Sequence, residues 1–410
     1  MTYKGECPFL EGGTIVPKER IGIMGGSFNP IHERHLEMAV SARREQKLER
    51  IIFLPTGNPP HKRSGLEDAE DRFEMTRLAV FGMPGFTASR MEVDREGVIY
   101  TVDTLGKLQK QMPDTAFDYI IGEDTLMDLP NWRKPDKVFG LCRFLVVCRT
   151  SEDTRQLPIV KELEARGAHF AFLNLPPSPV SSTAVREKLE RGEEPDELPP
   201  QVMEYIRLMG LYGQKASPAG AKAFYPRLRR ALSDKRLVHS LLVAYTARGL
   251  ARKHGLDEDQ AAMAGFLHDC AKCLPLAQMQ QIARDNRLLL DKETLQSGNL
   301  LHGPVGAVIA EKEYGVTDPN ILSSIRCHTT GKVGMLPLDM IVYLSDKIEP
   351  SRRTYPVLEE VRRLAQVDLG AAMLHSLEST LEYVRSQNTT PHPLTQQVAD
   401  WLKRIVKTEK

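Results

Sequence analysis

Apolar and polar positions change rhythm along this chain. In the first half, short apolar runs alternate with segments of helical spacing. RIGIMGG (20–26), RIIFLPTGNPP (50–60), FDYIIGED (117–124) and CRFLVVCR (142–149) read as buried strands, the first three running into turn residues. HLEMAVSARREQK (35–47), DRFEMTRLAVFG (71–82) and TVDTLGKLQKQM (101–112) place apolar residues on one helix face. Strands alternating with helices of this length predict a parallel sheet with right-handed crossovers, so ligands are expected at the carboxyl ends of its strands.

The rhythm changes after Leu189. RGEEPDELPP (191–200) is a charged, proline-rich loop, and QVMEYIRLMGLYG (201–213) reads as a closing helix. GQKASPAGAKAFYP (213–226), rich in small residues and proline, is the expected linker. Beyond it only helical patterns remain, in 235–255, 257–272, 303–315, 318–331 and 336–350, several opening after Asp and closing near Gly. The expected architecture is α/β followed by all-α. Its parts are a Rossmann-like parallel-sheet domain over 20–213, a linker over 214–230 and a helical domain over 231–405, whose residues 231–410 are expected to fold alone.

A chain of 410 residues is too long for one ordinary core, which agrees with two domains. The net charge of +1 argues against a protein that wraps nucleic acid. No stretch approaches the roughly 18 apolar residues of a membrane span, and MTYKGECPFLEGGTIVPKER lacks a signal peptide's apolar core. A cytoplasmic enzyme with reduced thiols is therefore expected, with no membrane and no nucleic-acid partner. Cys270 and Cys273 form a CxxC, but no second CxxC completes a zinc site.

Two clusters of residues carry chemistry. In IGIMGGSFNPIHERH (21–35) a strand empties through Gly25, Gly26, Ser27 and Phe28 into a helix start that bears His32 and His35. Glycines admit close approach, and a helix start offers unpaired N–H groups and a positive dipole end to phosphate. The spacing is neither a P-loop nor GxGxxG. A second such start lies in PPSPVSSTAVR (176–186). There Ser181, Ser182 and Thr183 can cap a helix or bind phosphate, and Arg186 follows one turn on.

GGSFNPIHxxH, PTGNPPHK, YTVDTL, IIGEDTLMDLPNW and SSTAVR, in this order, resemble the bacterial nicotinate-nucleotide adenylyltransferases of the HxGH nucleotidyltransferase superfamily. The resemblance implies transfer of AMP from ATP, with Mg²⁺, to nicotinate mononucleotide, giving deamido-NAD and pyrophosphate. It sets His32 and His35 against the ATP phosphates and makes Ser182, Thr183 and Arg186 a second phosphate-binding motif. Gly122 and Asp124 become nucleotide contacts, Thr101 and Trp132 surround the nicotinate ring, and Lys62 reaches phosphate. Arg34 departs from the pattern by standing where the family has glycine. It is expected to turn outward and pair with Glu37, costing ATP affinity that Arg34→Gly would restore.

In the second half, His239, His268, Asp269, His302, His328 and Asp346 fall at helix ends or on apolar helix faces. Imidazoles with carboxylates suit a divalent transition metal, and burying so many ionisable groups without one is costly. His302 is expected at a helix start, and His254 as an exposed partner of a helix C-terminus. The order H…HD…H…H…D, with LLHGPVGA, IRCHTTG and YLSDKIEPSR, resembles the HD-domain hydrolases that split diadenosine tetraphosphate symmetrically into two ADP. That resemblance implies a dinuclear centre, iron by expectation, with Asp269 also catalytic. Lys272, Arg352 and Arg353 are candidate phosphate contacts.

The reading that follows is a bifunctional enzyme. Its rival makes the first half a non-catalytic nucleotide-binding module that regulates the hydrolase. An RNA-acting nuclease fits poorly with the neutral charge and the lack of stacking motifs.

Overall fold

Apolar residues on both faces of the first-half strands require cover on both sides, and the alternating helices supply it. The computed structural model describes residues 19–57, 65–148, 154–215 and 221–408. Six parallel strands, β1 (Glu19–Gly26), β2 (Arg50–Pro55), β3 (Phe86–Ala88), β4 (Thr115–Gly122), β5 (Arg143–Val147) and β6 (Phe170–Leu173), form one sheet in the order β3-β2-β1-β4-β5-β6. Its helices are α1 (Glu33–Gln46), α2 (Ala69–Val80), α3 (Thr101–Gln111), α4 (Glu123–Asp128), α5 (Pro135–Phe139), α6 (Pro158–Ala165), α7 (Ser182–Glu190) and α8 (Pro200–Met209). The strand order reverses direction between β1 and β4, which opens a crevice at their carboxyl ends. Gly25 and Gly26, the last two residues of β1, lie at that end, opposite Leu54 and Pro55.

The second half is helical. It comprises α9 (Ala221–Ala231), α10 (Asp234–Lys253), α11 (Glu258–Leu267), α12 (Leu276–Asp285), α13 (Lys292–Gln296), α14 (Gly298–Tyr314), α15 (Pro319–Cys327), α16 (Pro337–Ile348), α17 (Pro356–Ala365), α18 (Leu369–Ser386) and α19 (Pro393–Thr408). Side-chain caps set several starts: Ser233 accepts from the Arg236 amide, Asp257 from Gln260 and Asp318 from Ile321. The core of this half includes Leu241, Val243, Phe266, Leu267, Ile325 and Ile341, all fully buried.

The chain divides into compact units at 1–202 and 203–410, so α8 crosses the division. Most of the stretch expected to be linker after residue 220 is the helix α9, which buries Tyr225 and Leu228. The helix expected to start after His302 begins one turn earlier, at Gly298, and carries Pro304 inside it.

Candidate functional sites

At the crevice between β1 and β4 lies a cavity of about 570 Å³. Gly25, Gly26, Ser27 and Phe28 line it from β1 and the turn beyond. His32 is the N-cap of α1. Its backbone N–H donates to His35 Nδ1 at 3.2 Å, and the two rings stack with centroids 3.8 Å apart. The Phe28 ring meets His35 edge-on at 5.1 Å. From β4 and beyond come Gly122, Asp124 and Trp132. A Cβ on Gly122 would meet nothing within 4 Å, so it faces open space.

The start of α7 closes the opposite wall with Ser182, Thr183 and Arg186. Ser181 is its cap and accepts from the Ala184 amide. Ser182 Oγ donates to the Pro30 carbonyl at 3.0 Å, and Arg186 donates to the Asn29 carbonyl at 2.8 Å. Two helix N-termini and a guanidinium thus converge on one cavity, an arrangement suited to a polyphosphate.

Two expectations change, and a third falls outside the described residues. Thr101 is not in the wall of the cavity; it is hydrogen-bonded to Tyr119, which is. Lys62 lies outside the described residues. Arg34 pairs with Glu37 at 3.1 Å as expected but does not turn outward. It is only 8% exposed, and its other terminal nitrogen donates to the Pro176 carbonyl at 2.6 Å. A carbonyl acceptor within reach on the neighbouring segment outcompetes solvent for the guanidinium.

Sequence reasoning missed Tyr119 and Arg72. Arg72, 1% exposed, donates to the carbonyls of Ser27, Gly57 and Glu67 and so holds the turn after β1. An arginine on the apolar face of DRFEM was its signal. Tyr119 explains Gly25: a Cβ there would sit 2.0 Å from the tyrosine hydroxyl. Gly25→Ala is expected to destabilise the protein by about 1–3 kcal/mol through overpacking. Tyr119→Phe should recover part of that in a thermal-denaturation double-mutant cycle, because it removes the closest atom.

The second site gathers side chains from five helices. His239 comes from α10 and Asp346 from α16. His268 and His328 are the C-caps of α11 and α15, and His302 sits one turn into α14. Asp269 belongs to two groups of converging donors, one with His239 and His268, the other with His302 and His328.

The tautomers follow from the acceptors. Nδ1 of His268 is 2.7 Å from the Gly265 carbonyl, that of His328 is 2.7 Å from Ile325, and that of His302 is 3.1 Å from Gly298. His239 Nδ1 is 3.1 Å from a Glu349 carboxylate oxygen. Carbonyls cannot donate, so Nδ1 of His268 and of His328 carries the proton and the Nε2 lone pair of each faces inward, whereas His239 meets a carboxylate at both nitrogens, with Asp346 3.0 Å from Nε2. Nε2 of His302 and Nε2 of His328 crowd together at 3.0 Å, and the buried Nε2 of His268 has no hydrogen-bond partner. A shared cation relieves both conflicts, so the donor set fits a divalent metal, and the shared Asp269 allows two. Arg236, Lys272, Lys347 and Arg352 ring the adjoining cavity of about 270 Å³ and suit a phosphate chain. Arg353 does not line it.

Burial favours neutral Asp269, but His268, His302 and His328 outweigh it and hold the carboxyl far below its usual range. Burial, aided by His268 and His302, pushes His328 down to about 3. An unfolded chain would protonate His328 below its ordinary 6.5, so unfolding takes up a proton between those values. Metal-free protein is therefore expected to lose this contribution to stability as pH falls from about 6.5 towards 3. His239 acts oppositely: burial lowers it, but hydrogen bonds to Asp346 and Glu349 win and raise it, so its contribution fades as pH rises. Urea denaturation of chelator-treated wild type and His328→Asn at pH 5 and pH 7 isolates the His328 part. The variant should show the smaller loss towards acid once the common His239 contribution cancels.

Glu349 was missed at first sight, although its place three residues after Asp346 in SDKIEP was a usable signal. The CxxC does not converge on the site. Cys270 is buried and its thiol donates to the Gly306 carbonyl, while Cys273 is exposed. His254 is not simply solvated: its Nε2 bonds the Ala365 carbonyl at 2.7 Å.

These sites define the class: a nucleotide-binding α/β domain of transferase type joined to a helical metal-binding hydrolase domain. Residues 23–188 match the cytidylyltransferase-like family and residues 236–351 the HD domain family. A Mycoplasma genitalium protein named "Probable nicotinate-nucleotide adenylyltransferase/Ap4A hydrolase" is 30% identical over 90% of this chain and 99% of its own. A "Probable nicotinate-nucleotide adenylyltransferase" from Gloeobacter violaceus is 40% identical over 50% of this chain and 99% of its own. The crystal structure of a "predicted HD superfamily hydrolase involved in NAD metabolism" from Clostridium acetobutylicum is 34% identical over 45% of this chain and 96% of its own, with a TM-score of 0.43. The chain belongs to the family of two-domain nicotinate-nucleotide adenylyltransferase/Ap4A hydrolases. Among the described residues, no helix is long and apolar enough to cross a membrane.

Proposed function

We propose that the sheet domain transfers AMP from ATP to nicotinate mononucleotide and that the helical domain hydrolyses diadenosine tetraphosphate to two ADP, both in the cytoplasm. The observation that carries the first half is the meeting of the starts of α1 and α7 across one cavity. The relatives' names support the choice of substrates.

In the sheet domain the phosphate of nicotinate mononucleotide attacks the α-phosphorus of ATP in line, and pyrophosphate leaves. No covalent enzyme intermediate is needed. His32, His35 and Arg186 stabilise the charge that develops on the phosphate oxygens, while Ser182 and Thr183 hold the chain and Trp132 flanks the nicotinate ring. Mg²⁺ bound with ATP would neutralise phosphate charge. In the helical domain His239, His268, Asp269, His302, His328 and Asp346 would hold the metal, for which iron is our proposal. When bound, it supplies an activated water and a Lewis acid. Lys272 and Arg352 orient the phosphate chain, with Arg236 and Lys347 beside them.

The test is a product assay on the full chain. ATP, Mg²⁺ and nicotinate mononucleotide should give deamido-NAD and pyrophosphate, with the nicotinamide nucleotide a poorer substrate. His35→Ala should lower kcat by about 10²–10³-fold. A chain that binds ATP but makes no deamido-NAD would mean that this half regulates the hydrolase.

A further inference from the structure

We propose that Arg34 is a positioning residue that ties the histidine-bearing helix α1 to the segment leading into α7 and so fixes the spacing of the two phosphate-binding helix starts. This rests on the adenylyl-transfer reading of the cavity. Polar contacts cross between these walls at several points: at the far ends, Asn174 N–H donates to Glu45 on α1 at 3.1 Å and Glu33 N–H donates to the Glu197 carbonyl at 2.8 Å. Ser182 reaches the Pro30 carbonyl and Arg186 the Asn29 carbonyl, both from α7 toward the turn before α1. Arg34 supplies the return link, from the first turn of α1 to the Pro176 carbonyl at 2.6 Å.

The Ser182 and Arg186 links use groups that are themselves proposed to meet phosphate, so substrate competes for them. Arg34 also lines the cavity, but both ends of its guanidinium already have acceptors. One nitrogen is held by Glu37 at 3.1 Å and another by a backbone carbonyl, with the side chain 9% exposed. A planar guanidinium can satisfy two acceptors in fixed directions at once, whereas an ammonium cannot reproduce that fork. The segment it grips, PPSPV (176–180), makes few other links: Val180 N–H donates to the Ser178 hydroxyl, and three of its five residues are prolines with no N–H to give. A segment so poor in backbone hydrogen bonds takes its position from side chains, and the carbonyl of Pro176 is where Arg34 sets it. Arg34→Gly would then loosen the α7 wall. This reverses the expectation from sequence that glycine restores ATP affinity.

The experiment compares wild type, Arg34→Gly, Arg34→Lys and Glu37→Ala in the full chain. Hydrogen exchange at the Ser178, Val180, Ser181 and Ser182 amides is measured without substrate, alongside adenylyl-transfer kinetics. Glu37 does not line the cavity and its side chain is 55% exposed, so Glu37→Ala should fold and act only through Arg34. Exchange at these amides should rise in all three variants, most in Arg34→Gly, with α2 unchanged. KM for ATP should rise about tenfold in Arg34→Gly, the loss of one charge-assisted hydrogen bond, with Arg34→Lys failing to rescue it. Unchanged exchange in Arg34→Gly overturns the tether. So does raised KM in Arg34→Gly with both KM and exchange unchanged in Glu37→Ala, since Arg34 would then be meeting substrate directly. Because exchange is read without substrate, a wild type that makes no deamido-NAD would defeat the proposed activity and leave the tether judged by its own measurement.

Discussion

Asp269→Asn is expected to abolish hydrolysis of diadenosine tetraphosphate, by at least about 10²–10³-fold, and to remove bound metal, while adenylyl transfer by the same protein is unchanged. Asp269 is the one residue common to both groups of converging donors. One carboxylate oxygen lies 3.1 Å from His302 Nε2, and the other accepts from Arg236 at 2.9 Å. An amide keeps the shape but brings an N–H into a place where lone pairs converge, and it loses the charge that offsets a cation. Glu349→Gln provides the graded comparison. Glu349 meets the donor set through the outer nitrogen of His239 and also holds Ser351 and Arg352, so its loss should cost about 10–100-fold in metal affinity without emptying the site. Metal content by elemental analysis and ADP release are read on the same samples. Full metal content with no hydrolysis in Asp269→Asn would make Asp269 a group acting on substrate rather than a ligand. Equal losses in both variants would remove the distinction between ligand and support.

Much of this helical site was legible because ligand chemistry is local. A histidine at the end of an apolar helix, as in GFLHD or IRCH, announces itself, and the fold only has to bring the ends together. Glu349 was overlooked because an acidic residue after a helix reads as solvated until its neighbour in space, His239, is known. In the sheet domain the turn glycines, both histidines and SSTAVR were legible from strand–turn–helix order. Thr101 was set beside the nicotinate ring by the resemblance alone; in the fold Tyr119 takes the wall and Thr101 is its hydrogen-bond partner. Arg34 was half legible: its partner three residues on is a property of the helix, whereas Pro176 lies 142 residues away and no periodicity points to it.

At the boundary of the helical domain, texture and packing part ways, and this leads to the second large effect. Residues 231–410 alone are expected not to fold, whereas 200–410 should melt cooperatively. The reason is Arg248 on α10, 5% exposed, which donates to both carboxylate oxygens of Glu204 on α8 and to Asp259 at 2.7 Å. Glu204 is fully buried. Cutting at 231 removes Glu204 with the helix that carries it, so the buried ion pair is lost and Arg248 is uncovered, at a cost of up to about 3–5 kcal/mol. The cut also takes away α9. Its Tyr225 ring stacks on Phe266 at 6.1 Å and is met edge-on by Tyr205 at 4.9 Å, so Phe266 loses the apolar cover of one face. Against a total domain stability of about 5–15 kcal/mol, the two losses together suffice to unfold it. The proline-rich texture of 213–226 hid this, because α9 is held by what it packs against rather than by its own helical tendency. Far-UV circular dichroism melts of the two fragments decide the point, with Glu204→Ala in the full chain expected to destabilise the helical half in the same direction. If 231–410 melts within a few degrees of 200–410 and binds metal equally, the ion pair and α9 are dispensable and the domain begins where its sequence texture changes.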